Sequence, residues 1–335
     1  MGSSITAIEY YLPEAVLTNQ QLTEAFPDWP VDEIEEKTGI CRRHIAGEQE
    51  CSSDLATAAA RKLFLSGACR PEDVDFILLC TQSPDYFLPT TACILQERLG
   101  VAPSAGALDF NLGCSGYVYG LALAKGLVET GQAQCVLLIT AETYSKFIHP
   151  RDKSVRTIFG DAASATLVEE GAERAIGPLV FGTDGKGAQN LIVPAGGMRL
   201  RHAAESDVRD DFGNQRTDSS LFMNGPEIFQ FTLRAVPDVV KRLLARSGLS
   251  QEEIDLFVFH QANRYMLSHL RRKMNIPEEK FYVHLRDCGN TVSSTIPIAL
   301  KHASLEGTLK AGMKVMLVGF GVGYSWGAAI VHWRM

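Results

Sequence analysis

No two of the eight cysteines in this chain stand as a C-x-x-C pair; they are Cys41, Cys51, Cys69, Cys80, Cys93, Cys114, Cys135 and Cys288. That absence argues against a cysteine-type zinc site, and several of them lie inside apolar runs, which argues against a disulfide scaffold. No apolar run is long enough to span a bilayer, and Met1 to Tyr10 lacks the basic stretch and apolar stretch of a secretion signal. Excess positive charge is missing too. Lys and Arg number 32 against 39 Asp and Glu, and the net charge of -7 gives no general affinity for nucleic acid. We therefore expect a soluble, cytoplasmic protein with neither nucleic acid nor a membrane among its partners. What the chain has in quantity is apolar surface: 46% of 335 residues are hydrophobic, enough for one large core or two fused ones.

Two segments repeat at one offset. Glu72-Asp73-Val74-Asp75-Phe76-Ile77-Leu78-Leu79 matches Glu252-Glu253-Ile254-Asp255-Leu256-Phe257-Val258-Phe259, so residues 72 and 252 open copies 180 apart. Cys135-Val136-Leu137-Leu138-Ile139 matches Val315-Met316-Leu317-Val318-Gly319 at the same 180 offset. All four read as buried strands. A helix ending in Ser-Gly precedes the first strand of each copy, at Ser66-Gly67 and Ser247-Gly248, and glycine there is a C-cap signal. The pattern predicts a duplicated α/β unit, divided into residues 1–171 and 172–335. Its two central helices are expected to meet, with small residues Gly113, Ser115, Gly116 and Gly120 permitting the approach. The irregular stretch Gly182 to Ser220, with Arg199, Arg201, Glu205, Asp207, Arg209, Asp210 and Asp211, reads either as a solvated loop or as a lid.

Cys114 lies in Asp109-Phe110-Asn111-Leu112-Gly113-Cys114-Ser115-Gly116, where an apolar run ends in a small-residue turn before an apolar helix-length segment. A thiol at a helix N-terminus is expected to favour the thiolate, because unpaired N–H groups and the dipole stabilise negative charge. Taken alone it reads as a core cysteine. His260 alone reads as a core histidine at a strand end and Asn290 as a turn residue. The offset of the repeat sets Cys114 opposite Ser294, in Gly289-Asn290-Thr291-Val292-Ser293-Ser294.

The cysteine turn, Phe259-His260-Gln261-Ala262-Asn263, Gly289-Asn290-Thr291, Phe159-Gly160-Asp161-Ala162-Ala163 and Gly319-Phe320-Gly321-Val322-Gly323-Tyr324-Ser325-Trp326-Gly327-Ala328-Ala329 occur together and in order. In these motifs the whole chain resembles the β-ketoacyl-acyl-carrier-protein synthase III family of the thiolase-like fold. The resemblance implies duplicated βαβ halves in five layers, α-β-α-β-α, and a Cys–His–Asn site at Cys114, His260 and Asn290. Cys114 would carry an acyl group taken from a thioester. His260 and Asn290 would donate hydrogen bonds to the thioester oxygen of a malonyl unit as it decarboxylates to an enolate. The backbone N–H groups of Cys114 and Val322 would hold the oxyanion of the condensation step. No metal or redox cofactor is implied; coenzyme A or the phosphopantetheine of an acyl-carrier protein brings the substrates. A homodimer is implied. Phe159, Phe229 and Asn263 fall among the expected substrate-binding residues.

Several positions depart from the family pattern. Members that begin from acetyl-CoA hold its adenine between a tryptophan and an arginine. Here those positions are Glu33 and Lys153; Lys37 replaces a further arginine, and Pro226 an asparagine, while Trp29 is out of register. Lysine lacks the planar guanidinium, and glutamate repels phosphate. These changes favour an acyl-carrier protein, or coenzyme A held differently, as primer donor. Leu88 replaces an aromatic that closes the acyl pocket from the partner subunit, which admits a longer chain. Tyr144, where an aliphatic is usual, fills space or offers a hydroxyl. Arg151 and Arg156 flank Lys153 and read as a solvated basic loop or as a holder for a carboxylated primer.

A helix is expected after His260, with Arg264, Ser268, Arg271 and Arg272 on one face and Lys273 beside it. That face reads as a docking surface for an acidic carrier protein or as a solvated face. The function implied is decarboxylative condensation of an acyl thioester with malonyl-acyl-carrier protein to a 3-oxoacyl product. Alternatives are a related acyltransferase, an alkylquinolone- or polyketide-type condensing enzyme of a dedicated pathway, and a non-catalytic synthase partner. A biosynthetic thiolase fits less well, since residues 319–327 hold no second cysteine.

Overall fold

Two five-stranded sheets with the same strand order face each other across a pair of buried helices. The first runs β1 (Gly2–Tyr11), β7 (Ala162–Gly171), β6 (Cys135–Glu142), β4 (Phe76–Cys80), β5 (Gly106–Phe110). The second runs β8 (Ile176–Thr183), β16 (Ser325–His332), β15 (Lys314–Gly321), β13 (Leu256–Phe259), β14 (Phe281–Tyr282). In each, the first three strands alternate in direction and the last three run parallel. The repeated segments thus supply β4 and β13, then β6 and β15, at matching places. Every residue of β6 is buried, as a parallel strand covered on both faces requires. The structure, a computed structural model, describes residues 2–204, 208–209 and 213–335. Met1, Glu205, Asp207, Asp210 and Asp211 lie outside the described residues.

Helices α3 (Ser52–Leu65) and α4 (Thr91–Leu99) cover the outer face of the first sheet. Between the sheets lie α5 (Gly116–Glu129) and α9 (Thr295–Leu305). On the outer face of the second sheet lies α7 (Gly225–Ser247), with α8 (Arg264–Lys273) packed on it. Three apolar clusters fill the gaps between the five layers. Composition explains the placing. α5 and α9 are apolar around most of their circumference and go to the middle, while α7 buries Ile228, Phe231, Ala235, Val239 and Leu243 along one stripe. Both Ser-Gly signals end helices: Gly67 and Gly248 take φ of 80° and 69°, the left-handed region where glycine has no steric penalty.

The small residues of the cysteine turn serve a different purpose from the one expected. A β-carbon at Gly116 would lie 2.2 Å from Cys80 Sγ, and one at Gly120 would lie 2.5 Å from Leu138. These glycines let α5 settle onto β4 and β6, not onto α9.

Smaller elements surround the open end of the layers. They are α1 (Asn19–Ala25), α2 (Val31–Thr38) and α6 (Lys153–Arg156), with the antiparallel pairs β2 (Ala15–Thr18) with β3 (Arg42–Ile45), β9 (Leu191–Ile192) with β12 (Phe222–Met223), and β10 (Val208–Arg209) with β11 (Gln215–Arg216). The stretch Gly182 to Ser220 is irregular where it is described, and its Leu191 forms part of a cavity wall. Among the described residues no helix is long and apolar enough to cross a membrane.

Candidate active site

Cys114, His260 and Asn290 line one cavity of about 380 Å³, mostly apolar, together with Phe159, Phe229 and Asn263. Each arrives from a different turn. Cys114 precedes Ser115, the N-cap of α5. His260 follows β13, and its backbone N–H still donates to Val318 of β15 (2.8 Å). Asn290 is fixed by the Phe159 segment: Gly160 N–H donates to its carbonyl and its own N–H donates to Ile158, both at 3.0 Å. The Phe-Gly-Asp motif therefore holds the asparagine. Asp161 anchors that segment by accepting from Ala46 N–H (2.7 Å) and Ser145 N–H (2.9 Å).

The Asn290 side chain is orientated by the next turn. Its Oδ1 accepts from the N–H of Val292 at 2.9 Å, so Nδ2 is left for the cavity. Val292 pays for this with a φ of 54°, a left-handed conformation unusual for a β-branched residue, and such strain costs on the order of 1–3 kcal/mol. Asn290 Nδ2 stands 3.5 Å from His260 Nε2. Two side-chain nitrogens that close together can aim at one oxygen. His260 Nδ1 is 2.8 Å from the Thr295 hydroxyl at the start of α9. Burial pushes the His260 pKa down to about 3, so the ring is neutral.

Cys114 does not have the thiolate-favouring surroundings that its place before a helix suggests. It is 6% exposed, and burial, with the Glu142 carboxylate adding to it, pushes the thiol up to about 12. Glu142 is buried at the end of β6, where it accepts from Gln82 N–H (3.1 Å), Ser83 Oγ (3.2 Å) and Ser293 Oγ (2.9 Å). Burial pushes its own pKa up to about 8.

The glycine-rich C-terminal strand passes directly over the cysteine. A β-carbon at Gly319 would lie 2.9 Å from the Cys114 carbonyl oxygen, so only glycine fits. Ser325 Oγ, at the start of β16, ties the neighbouring strand to the α5 turn, 2.6 Å from Ser115 Oγ, and also donates to the Val322 carbonyl (2.9 Å). Phe320 and Gly321 line the cavity; Val322 follows them and faces Gly113.

The outer expected residues divide into three groups. Tyr144 is buried, its ring 5.3 Å from that of Phe159, and its hydroxyl donates to Gln82 Oε1 at 2.7 Å. Leu88 is 82% exposed beside exposed Tyr86 and Phe87, and does not line the cavity of its own chain. Lys37 is paired with Glu33, one turn away on α2. Sequence register put Trp29 aside, yet in space its ring is 5.6 Å from Lys37 Nζ and 6.0 Å from Lys153 Nζ. Arg151 bonds Gln215 (3.2 Å), and Arg156 reaches Pro150 (2.7 Å) and the Phe26 ring.

On α8, Arg264, Ser268 and Arg271 line a second cavity of about 510 Å³. Arg271 is tied to Glu278 at 3.1 Å, and Arg272 bonds back to the Ser268 carbonyl at 3.1 Å. The cationic face is thus partly neutralised. Asn263 caps this helix by accepting from Met266 N–H (2.8 Å).

Known proteins are similar to this chain over its whole length. The family described as 3-Oxoacyl-[acyl-carrier-protein (ACP)] synthase III matches residues 108–185, and its C-terminal part matches residues 244–333. A β-ketoacyl-[acyl-carrier-protein] synthase III of Caldanaerobacter subterraneus is 38% identical, over 99% of this chain and 98% of its own. This chain belongs to the 3-oxoacyl-acyl-carrier-protein synthase III family. It is a condensing enzyme, an acyltransferase of thiolase-like fold. A crystal structure of a 3-oxoacyl-(acyl-carrier-protein) synthase III superposes with a TM-score of 0.98 at 58% identity, covering 99% of this chain and 100% of that one. The 3-oxoacyl-(acyl-carrier protein) synthase of Burkholderia xenovorans gives 0.91 at 36%, covering 100% and 95%.

Of the supports for the site, Thr295, Glu142 and Gln82 carried no sequence signal except nearness to a motif. Thr295 is five residues beyond Asn290, and Glu142 ends a strand of the repeat.

Proposed function

We propose that the enzyme condenses an acyl thioester with malonyl-acyl-carrier protein, with release of carbon dioxide, through an acyl group held on Cys114. The observation that carries this reading is the pair of neutral donors, His260 and Asn290, 3.5 Å apart in the same cavity as a buried thiol. In the first step the Cys114 sulfur bonds to the acyl carbon, the carrier thiol departs, and the proton of Cys114 leaves with it. No net base is consumed, which suits a thiol stored in its protonated form. In the second step the malonyl unit loses carbon dioxide, and the resulting enolate oxygen takes hydrogen bonds from His260 Nε2 and Asn290 Nδ2. His260 Nδ1 is 2.8 Å from the Thr295 hydroxyl, which also reaches the Val292 carbonyl at 3.1 Å; when that hydroxyl turns to donate to Nδ1, the ring proton sits on Nε2. The enolate carbon then bonds to the acyl carbon, the Cys114 sulfur leaves and takes a proton from solvent, and the backbone N–H groups of Cys114 and Val322 hold the intermediate oxyanion. No redox cofactor enters this chemistry.

Tyr144 and its Gln82 partner limit the acyl side to short primers. Trp29, between Lys37 and Lys153, is the aromatic and cationic surface offered to a nucleotide carrier at the mouth, with coenzyme A held differently from the family pattern. The α8 face of Arg264, Arg271 and Arg272 receives the acidic carrier protein. The exposed Tyr86-Phe87-Leu88 tip supports a homodimer in which Leu88 reaches the partner's acyl pocket. The change of sheet between β7 and β8 supports a division of the chain into 1–171 and 172–335.

The test is intact-mass spectrometry of the wild type and Cys114→Ala, each offered acyl-CoA and acyl-carrier-protein series of rising chain length. An adduct on the wild type alone, with short chains, is the expected result. No adduct from any donor removes the acyl-Cys114 step, and labelling by acyl-carrier protein but not by coenzyme A thioesters removes the Trp29 reading.

A further inference from the structure

Far from the cysteine, at the opposite end of α9, one group of three side chains with metal-ligating atoms comes together among the described residues. It consists of His284, His302 and Glu306, whose ligating atoms all lie within 4.8 Å of one another. We propose that these residues form a binding site for one divalent transition cation of the zinc type.

Two elements supply the ligands. His302 stands near the C-terminal end of α9, and Glu306 follows one turn later, so the helical repeat puts both on one side. His284 comes from the loop after β14, its N–H held by Gln261 Oε1 at 2.7 Å. The two imidazoles stack, with centroids 3.7 Å apart and planes 21° from parallel. Two histidines and a carboxylate are a donor set for zinc, cobalt or nickel, leaving a fourth position to water.

One further observation favours ligation over a solvated cluster. Each flanking ligand is orientated by a tyrosine, as outer-shell partners do around metal sites. The Tyr10 hydroxyl is 2.7 Å from His302 Nε2, which leaves Nδ1 to ligate, and the Tyr282 hydroxyl donates to Glu306 Oε2 at 2.8 Å. Lys301, the nearest cation on α9, is committed to Glu9 at 2.6 Å and does not compete for Glu306. Ligation turns the rings out of their stack so that one nitrogen of each meets the ion. The absence of C-x-x-C pairs, which argued against zinc from the sequence, has no bearing on a site that uses no cysteine.

The site bears on stability and lies outside the condensing chemistry. An ion here joins the β14 loop to α9, and its ligand His284 is bonded through its N–H to Gln261, the neighbour of His260.

Cobalt(II) is the probe. Metal-stripped wild type titrated with Co²⁺ should take up one equivalent, with weak visible d–d absorption, no thiolate charge-transfer band in the near ultraviolet, and a raised melting temperature. The visible band should vanish in a His284→Ala/His302→Ala variant. Tyr10→Phe should keep the stoichiometry and weaken binding by about tenfold. Should the double variant not fold, Glu306→Gln, at an exposed position, should weaken binding by about tenfold or more. The proposal is overturned by no saturable uptake, by a thiolate band that assigns the ion to cysteine, or by a visible band that persists in the double variant or is unchanged in Glu306→Gln.

Discussion

A β-carbon placed on Gly321 would lie 2.8 Å from Cys114 Cβ and 3.0 Å from its Sγ. The end of β15 therefore forms the roof over the Cys114 thiol, and position 321 leaves no room for a side chain. Gly321→Ala should push the strand or the cysteine aside. We expect a destabilisation of about 1–3 kcal/mol and loss of acyl transfer. Denaturant melts and intact-mass labelling measure the two effects, and a variant that labels at the wild-type rate contradicts the close approach.

Removing either donor should divide the reaction. His260→Ala and Asn290→Ala should still accept an acyl group on Cys114 but lose condensation by about 10²–10³-fold, the usual effect of deleting one donor to a developing oxyanion. Thr295→Val should lower the condensation rate constant with little change in KM, because it frees the ring to carry its proton on the wrong nitrogen. Pre-acylated enzyme mixed with malonyl-carrier protein reads these steps separately. With His260 held near 3, its ordinary 6.5 should leave no inflection in the condensation rate between pH 6 and 7.

The thiol of the resting enzyme should be slow to alkylate. Its pKa of about 12 means that the rate of iodoacetamide modification at Cys114 should keep rising with pH beyond 9 and show no plateau. Peptide-level mass spectrometry separates Cys114 from Cys93, which is exposed. A plateau near neutral pH would mean that the helix end outweighs burial.

Glu142 should make stability depend on pH. Its carboxyl is raised from 4.5 to about 8, so the folded state holds this proton more tightly than the unfolded chain. The resulting stabilisation is complete below pH 4.5 and is lost as pH rises through 8. Glu142→Gln should flatten the fall in stability across that window, and parallel urea titrations of the two proteins test this directly.

Tyr144→Leu should lengthen the accepted primer. It removes the hydroxyl bond to Gln82 and opens space beside Phe159. The acyl series that labels Cys114 should shift to longer chains, and an unchanged series would remove Tyr144 from the acyl pocket.

The sequence carried the architecture where periodicity and composition decide it. Apolar runs at one offset located β4, β6, β13 and β15, and five motifs located the turns that converge. What it did not carry depends on distance through space. Trp29 is out of register along the chain, and only the fold brings Lys153 to the ring that Lys37 also meets. The glycines of the cysteine turn were legible as close-approach residues, but not which neighbour approached. Position before a helix suggested a thiolate, whereas burial and Glu142 act the other way, and neither can be counted from residues 109–116. His284 and His302 belong to no motif, so nothing in their spacing marks them.

The equivalence of Cys114 and Ser294 has a consequence for how the molecule divides its labour. Ser294 sits at the turn opening α9, buried, 2.7 Å from Thr140 Oγ1 on the other half's central strand. One copy of the repeated turn carries the thiol of Cys114, while the other serves as a rivet between the halves. Reactivity and cohesion would compete for a single hydroxyl or thiol, and two copies of one turn let each have its own.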